Sequence, residues 1–200
     1  MANTNNKRRE IVLASASPRR KKLLKLIGLK FKAVKSKVNE DSLIKKLKKS
    51  NPAELVKILS LAKAVSACHG KHLQRNEIIV GFDTIVVCKN KLIGKPKNKK
   101  DALNKILFLS DKQHEVFTGI ALIDLKKKKV YVDYEMTKVK MKKISRQNAI
   151  NYIKTKEPID KAGAYAIQGI GKKFVKCIYG DYFNVVGLPL NKFLLMLGSL

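Results

Sequence analysis

The apolar positions of the chain fall into two rhythms. Ile11-Val12-Leu13-Ala14 is a short continuous run and predicts a buried strand. Ser17 suits a helix N-cap and Pro18 the first helical turn; Leu23, Leu24 and Ile27 follow at helical spacing, and Gly28 marks a stop. Phe31 to Val38 reads as extended, ending in Asn39-Glu40-Asp41. Asn51-Pro52-Ala53-Glu54 opens a helix with cap, proline and first-turn acid, and apolar positions carry it to about Cys68. Ile78-Ile79-Val80 and Ile85-Val86-Val87 flank Gly81-Phe82-Asp83-Thr84 in one strand-like run. Lys99 to Leu109 is helical again; Val116 to Leu125 and Val130 to Lys142 read as neighbouring strands joined by a lysine-rich turn. Ser145 caps a helix running to about Thr155. Short strands are predicted around 174–178 and 184–186, and Pro189 leads a last helix. Strands mixed with helices in this way predict an α/β or α+β fold.

Composition adds little to that frame and excludes some classes. The 200 residues, 45% of them hydrophobic, are enough for one domain with a core. We expect an N-terminal extension over residues 1–10, without the apolar segment of a signal peptide, and a single two-lobed domain over 11–200. No run of about 18 apolar residues occurs, so no membrane span is expected. Cys68, Cys88 and Cys177 are odd in number and lack zinc-site spacing; each reads as a small core hydrophobe, and the expected location is cytoplasmic. Lys and Arg total 44 against 15 Asp and Glu, a formal net charge of +29. Such a charge fits a polyanion partner. Yet the lysines are spread along the whole chain, without a basic tail or interleaved aromatics, and abundant Lys, Asn and Ile is also what an AT-rich coding sequence yields. Specific nucleic-acid binding is therefore not expected, although the field would speed any anionic substrate.

Candidate chemistry gathers at a few places. The stretch ASASPRR (14–20) joins a strand to a helix N-terminus, where free backbone N–H groups and the helix dipole favour an anion. Arg19 and Arg20 add planar guanidiniums suited to phosphate oxygens. Asp83 interrupts an otherwise apolar strand. A buried carboxylate costs several kcal/mol unless it is paired or bound to a cation, so Asp83 is either used or satisfied locally. Lys63 and Lys95 read as further phosphate contacts or as solvated surface. Residues 160–171, DKAGAYAIQGIG, are rich in glycine without the spacing of a dinucleotide loop; within them Gln168 carries an amide able to read a base edge or to bond its own loop. Glu40, Asp41, Asp160 and Asp181 are additional acids. His69 and His72 read as surface residues, not metal ligands.

Taken in order, SASPRR (15–20), GFDTIVV (81–87), GKP (94–96), HEVFTG (114–119), EPIDKAGAYAIQG (157–169) and GDYFNVVGLPL (180–190) resemble the blocks of the Maf family, the septum-formation-type nucleoside triphosphate pyrophosphatases, from residue 11 to about 197. The resemblance implies an elongated, mixed-sheet, Maf/ITPase-like α/β fold with a deep cleft between two lobes. It implies hydrolysis of a nucleoside triphosphate to the monophosphate and pyrophosphate with a divalent cation, Mg²⁺ or Mn²⁺. Carried over by position, Asp83 is the catalytic acid; Ser15, Arg20, Lys63 and Lys95 bind phosphate; Asp83 and Glu40 hold the metal. Arg19, Thr84 and Gln168 match the positions that mark the subgroup acting on dTTP and UTP, with a house-cleaning role and a link to arrest of cell division. The alternatives are a pyrophosphatase for 7-methyl-GTP or another modified nucleotide, and a non-catalytic nucleic-acid-binding protein. A homodimer is compatible with the resemblance. Two positions depart from it: Asn39 stands where an acid is usual, and Phe82 where a small residue is usual.

Overall fold

The computed structural model describes residues 9–47, 50–69, 73–155 and 157–200. Most of the predicted extension, and His72, lie outside the described residues. Seven strands form one mixed sheet in the order β2-β1-β3-β5-β6-β7, with β4 paired to β3. Strands β1 (Glu10–Leu13), β2 (Phe31–Ala33) and β3 (Glu77–Cys88) run parallel, as the intervening helices require. From β3 onward the sheet is antiparallel: β4 (Lys91–Leu92), β5 (Gln113–Asp124), β6 (Lys129–Met141) and β7 (Val175–Tyr179).

The helices are α1 (Pro18–Leu26), α2 (Glu40–Lys46), α3 (Pro52–Cys68), α4 (Lys99–Leu109), α5 (Arg146–Lys154), α6 (Tyr182–Val186) and α7 (Leu190–Gly198). Helix α3 lies flat against β3 and β5 because two glycines admit it. A Cβ on Gly81 would stand 2.2 Å from the Ser60 carbonyl oxygen, and one on Gly119 would stand 2.0 Å from that of Val56. Gly119 is the cross-strand partner of Asp83, so the sheet is thinned beside the buried acid.

One apolar cluster gathers α4, α5 and the far ends of β3 and β5; another gathers α1, α7 and the near ends of the same strands. Between them β3 has a free edge. Its pairing with β1 stops at Val80 and its pairing with β4 starts at Val87. Among the described residues no strand covers the stretch between, which carries Asp83 and Thr84.

Three predictions change. Residues 184–186 are not a strand but the end of α6, capped by Asp181, which accepts from Phe183 N at 2.7 Å, and closed by Gly187 at φ +108°. A short apolar run fits either state. The extended segment pairs only over Phe31–Ala33. Asn39 then caps α2, accepting from Ser42 N at 3.0 Å, a helix that its few apolar residues concealed. Among the described residues no helix is long and apolar enough to cross a membrane.

Candidate active site

A pocket of about 420 Å³ opens at the free edge of β3. Val86 and Tyr165 contribute to it from the first apolar cluster, Ile167 and Val186 from the second. The nine site residues that the resemblance implies all line this one space.

The strand β3 sets two of them on opposite faces. Asp83 points with Gly81 towards α3, and Thr84 points with Phe82 towards α6 and α7. The Asp83 carboxylate is buried at 4% exposure and meets the Lys63 ammonium of α3 at hydrogen-bond distance. Lys63 Nζ also bonds Glu40 Oε1 at 2.8 Å, and Glu40 Oε2 bonds Lys95 Nζ at 3.3 Å. The four groups therefore form a chain from the buried acid out to the exposed Lys95.

Burial raises the pKa of Asp83 above the ordinary carboxylate value, and the Glu40 charge adds to it; Lys63 and Arg20 oppose the shift without reversing it. Glu40 moves the other way. Burial works against its ionisation, but Lys63 and Lys95 outweigh that and hold it below the usual value. Two nearby carboxylates with diverging pKa values have distinct chemistry available to them.

Arg20 is built into the pocket wall. Its Nε donates to the Gly187 carbonyl at 2.8 Å, Nη1 to Ser15 Oγ at 3.2 Å and Nη2 to Thr84 Oγ1 at 3.1 Å. The guanidinium also lies 5.7 Å above the centre of the Phe82 ring. Burial pushes its pKa down to about 10, so it stays charged at neutral pH. Three of its five N–H groups are spent on the protein, leaving two to face a ligand. Ser15 Oγ accepts from Arg20 and from Ser17 N at 3.2 Å, which leaves its own O–H to donate.

Thr84 accepts from Arg20, and its hydroxyl lies 3.0 Å from that of Thr118, which in turn donates to the Asn184 carbonyl at 3.3 Å. In this chain Thr84 donates to Thr118, so its hydroxyl hydrogen is already used. Its geometry suits fixing Arg20 more than reading a base edge.

Arg19 reaches across to Asp160, Nη1 to Oδ2 at 3.6 Å, and Asp160 also pairs with Lys161. Gln168 is exposed beside these residues. Ser17 stands at the N-cap position of α1, as the sequence reading has it, but its side chain makes no cap bond; its amide donates to Ser15 Oγ. The first turn of α1 thus meets the pocket without a side-chain acceptor on its N–H groups.

Both sequence departures are absorbed. Asn39 caps α2 as an aspartate would. Phe82 is fully buried, packs edge-on against Phe193 at 5.4 Å, and lies outside the pocket lining. Asp41 is exposed in the first turn of α2, Asp181 is a cap, and His69 is exposed with Nδ1 3.0 Å from the Val65 carbonyl.

Sequence reasoning passed over Lys35, Ser36 and Lys161, which also line the pocket. In a chain with 44 Lys and Arg a lone lysine carries no signal. The lining holds six cationic side chains, Arg19, Arg20, Lys35, Lys63, Lys95 and Lys161, against the carboxylates of Glu40, Asp83 and Asp160. A concave site with excess positive charge, one buried acid and a glycine-rich rim can take a polyanion bearing an apolar or planar head.

Comparison with known proteins points the same way. The family model described as Maf-like protein matches residues 10–200. A dTTP/UTP pyrophosphatase of Thermoanaerobacter sp. (strain X514) is 46% identical over 183 residues, 92% of each chain. One of Clostridium botulinum (strain Kyoto / Type A2) is 44% identical over 184 residues, 92% of this chain and 93% of the other. One of Clostridioides difficile (strain 630) is 42% identical over 182 residues, 91% of this chain and 90% of the other. With the match running from the first strand through the last helix, the chain belongs to the Maf family.

Proposed function

We propose that this chain is a nucleoside triphosphate pyrophosphatase acting on dTTP and UTP, and that the pocket at the free edge of β3 is its nucleotide cleft. One observation carries the reading: the pocket's one buried carboxylate, Asp83, and a set of anchored cations, Lys63 in contact with it and Arg20 among the others, line a single space of about 420 Å³. The likeness to three proteins named dTTP/UTP pyrophosphatase, and the presence of Arg19, Thr84 and Gln168, support the pyrimidine choice.

In this reading Arg20 offers its two remaining N–H groups, and Ser15 its hydroxyl hydrogen, to the phosphates. Lys63 and Lys95 exchange part of their bonding with Glu40 for phosphate oxygens. Water attacks the α-phosphorus, the bond to the α–β bridging oxygen breaks, and pyrophosphate leaves with the electron pair. Asp83 Oδ takes the proton of the attacking water. Its raised pKa suits that task, because a base works best when its pKa lies nearer the working pH. The fixed cations stabilise charge that builds on the leaving group without having to reorganise.

A divalent cation fits the donor set. Asp83 and Glu40 already converge on one positive charge, the Lys63 ammonium. Among the described residues no group of three or more His, Cys, Asp and Glu could form a complete protein cage. That suits Mg²⁺ or Mn²⁺, hard ions held by one or two carboxylates and completed by phosphate and water. When bound, such an ion would polarise the α-phosphate and neutralise the departing pyrophosphate.

The reading carries with it a cytoplasmic site of action, where the triphosphate pool lies. A panel of nucleoside triphosphates, 7-methyl-GTP included, assayed for pyrophosphate release with and without Mg²⁺ tests it. Preference for dTTP and UTP is expected. Release only from 7-methyl-GTP, or steep salt-dependent DNA binding without any hydrolysis, would reject it.

A further inference from the structure

Gln168 has no side-chain hydrogen bond among the described residues, so its orientation must come from its backbone. That backbone is held on both sides by one carboxylate and one phenol. Glu157 Oε1 accepts from Tyr152 Oη at 2.8 Å and from Gly171 N at 3.0 Å, while Oε2 accepts from Ile170 N at 2.9 Å. Tyr152 Oη also accepts from Ala166 N at 3.2 Å. The segment from Ala166 to Gly171 is thus pinned at its two ends, with Gln168 between.

The anchor itself is rigid. Tyr152 is fully buried on α5 and packs edge-on against Phe174 at 5.2 Å. The loop is cut to fit it. A Cβ on Gly169 would stand 2.2 Å from Glu157 Oε2, and one on Gly171 would stand 2.7 Å from Tyr152 Oη. Burial works against the charge on Glu157, but the amides of Gly171 and Ile170 and the Tyr152 hydroxyl outweigh it and keep the carboxylate ionised. Each pin is therefore a charge-assisted or buried bond, stronger than an ordinary loop contact.

We propose that Glu157 and Tyr152 are positioning residues for base selection: they hold the loop that presents Gln168, and so set the preference for a pyrimidine over a purine. This rests on the reading of Gln168 as the base-reading amide. An amide reads a base through directional bonds, and a loop free to wander loses that selectivity before it loses the phosphate contacts, which come from the β1–α1 turn, α1, α3 and the loop after β4.

The test uses the full chain and compares kcat/KM for dTTP with that for dATP. Glu157→Ala should lower the ratio about tenfold through a higher KM for dTTP, with kcat held within about threefold. Tyr152→Phe removes one hydroxyl without changing shape and should lower it about threefold. Glu157→Gln should fall between, since its amide oxygen can still accept from Tyr152 and Gly171 while its NH₂ opposes Ile170 N. If Glu157→Ala does not fold, Tyr152→Phe decides. An unchanged ratio in the folded variants overturns the proposal, as does a loss confined to kcat. Gln168→Ala with the wild-type ratio overturns it together with the base-reading role. Absence of pyrophosphate release by the wild type from every triphosphate overturns the activity itself.

Discussion

Asp83→Asn separates the chemistry from the fold. The substitution keeps the size and shape of the side chain and removes its charge. Breaking a buried pair costs about 3–5 kcal/mol where the surviving charge is left alone. Here Lys63 keeps Glu40 at 2.8 Å, and the carboxylate removed is one whose burial already raises its pKa. The net loss should therefore be smaller, about 1–2 kcal/mol, or about 2–8 °C in melting temperature for a chain of this size. Turnover should respond far more. A positioned general base is worth about 10²–10⁴ in rate, which corresponds to about 3–5 kcal/mol in the barrier. The assay is pyrophosphate release at saturating dTTP, with thermal unfolding followed on the same preparation. A variant that melts like the wild type and turns over within tenfold of it would remove Asp83 from the proton-transfer step.

The pH profile should carry the mark of the same residue. Protonated Asp83 cannot accept a proton, so the acid limb of kcat/KM should lie above the ordinary carboxylate value of about 3.9 and vanish in Asp83→Asn. Because its folded pKa is raised above the unfolded one, Asp83 favours the folded state at pH below the unfolded value. That contribution is lost as pH rises through the folded value, so the stability of the wild type relative to Asp83→Asn should fall across that window in unfolding titrations. Thr84→Val removes the acceptor for Arg20 Nη2; a bond to a charged donor is worth about 1.5–3 kcal/mol, so kcat/KM for dTTP should drop about 10- to 150-fold in steady-state assays. Gly119→Ala sets a methyl against the Val56 carbonyl and should push α3 off the sheet, lowering the melting temperature by at least about 5 °C.

The elements that were legible in the sequence are those whose signal is local. The strand–turn–helix at ASASPRR, the cap at Asn51-Pro52 and the acid set into IIVGFDTIVV each announce themselves within a dozen residues, and all appear where expected. What was not legible depends on partners far apart in the chain. Helix α2 has few apolar residues, and is placed by the Asn39 cap and by Glu40 reaching Lys63 and Lys95. The segment 184–186 is apolar enough for a strand, yet Asp181 and Gly187 bracket a single helical turn. Ser17 caps α1 by position, but that its side chain makes no cap bond and its amide turns to Ser15 Oγ is seen only in the folded chain. Lys35 and Lys161 are hidden among other lysines. Glu157 sits beside a proline in a polar stretch, and only the folded chain shows its carboxylate holding amides thirteen and fourteen residues away.

The charge of the site bears on how it could bind and release. All three carboxylates in the pocket are engaged by cations of the pocket: Asp83 and Glu40 by Lys63 and Lys95, Asp160 by Arg19 and Lys161. The pocket is therefore partly neutralised by its own acids, and an incoming triphosphate gains only the difference between its contacts and the ion pairs it displaces. The exchange differs with depth. Arg20 is fixed by neutral partners, the Gly187 carbonyl and two hydroxyls, so it gives up no ion pair and can act as a permanent phosphate anchor. Lys95 and Arg19 are more exposed and hold carboxylates at 3.3 and 3.6 Å, where solvent screens the pairing and little is lost in releasing it. Binding can thus begin at the outer cations, whose partners are cheaply surrendered, and end at Arg20, which has no acid to surrender. The same gradient limits affinity for product, since each acid is waiting to reclaim its lysine or arginine once pyrophosphate begins to leave.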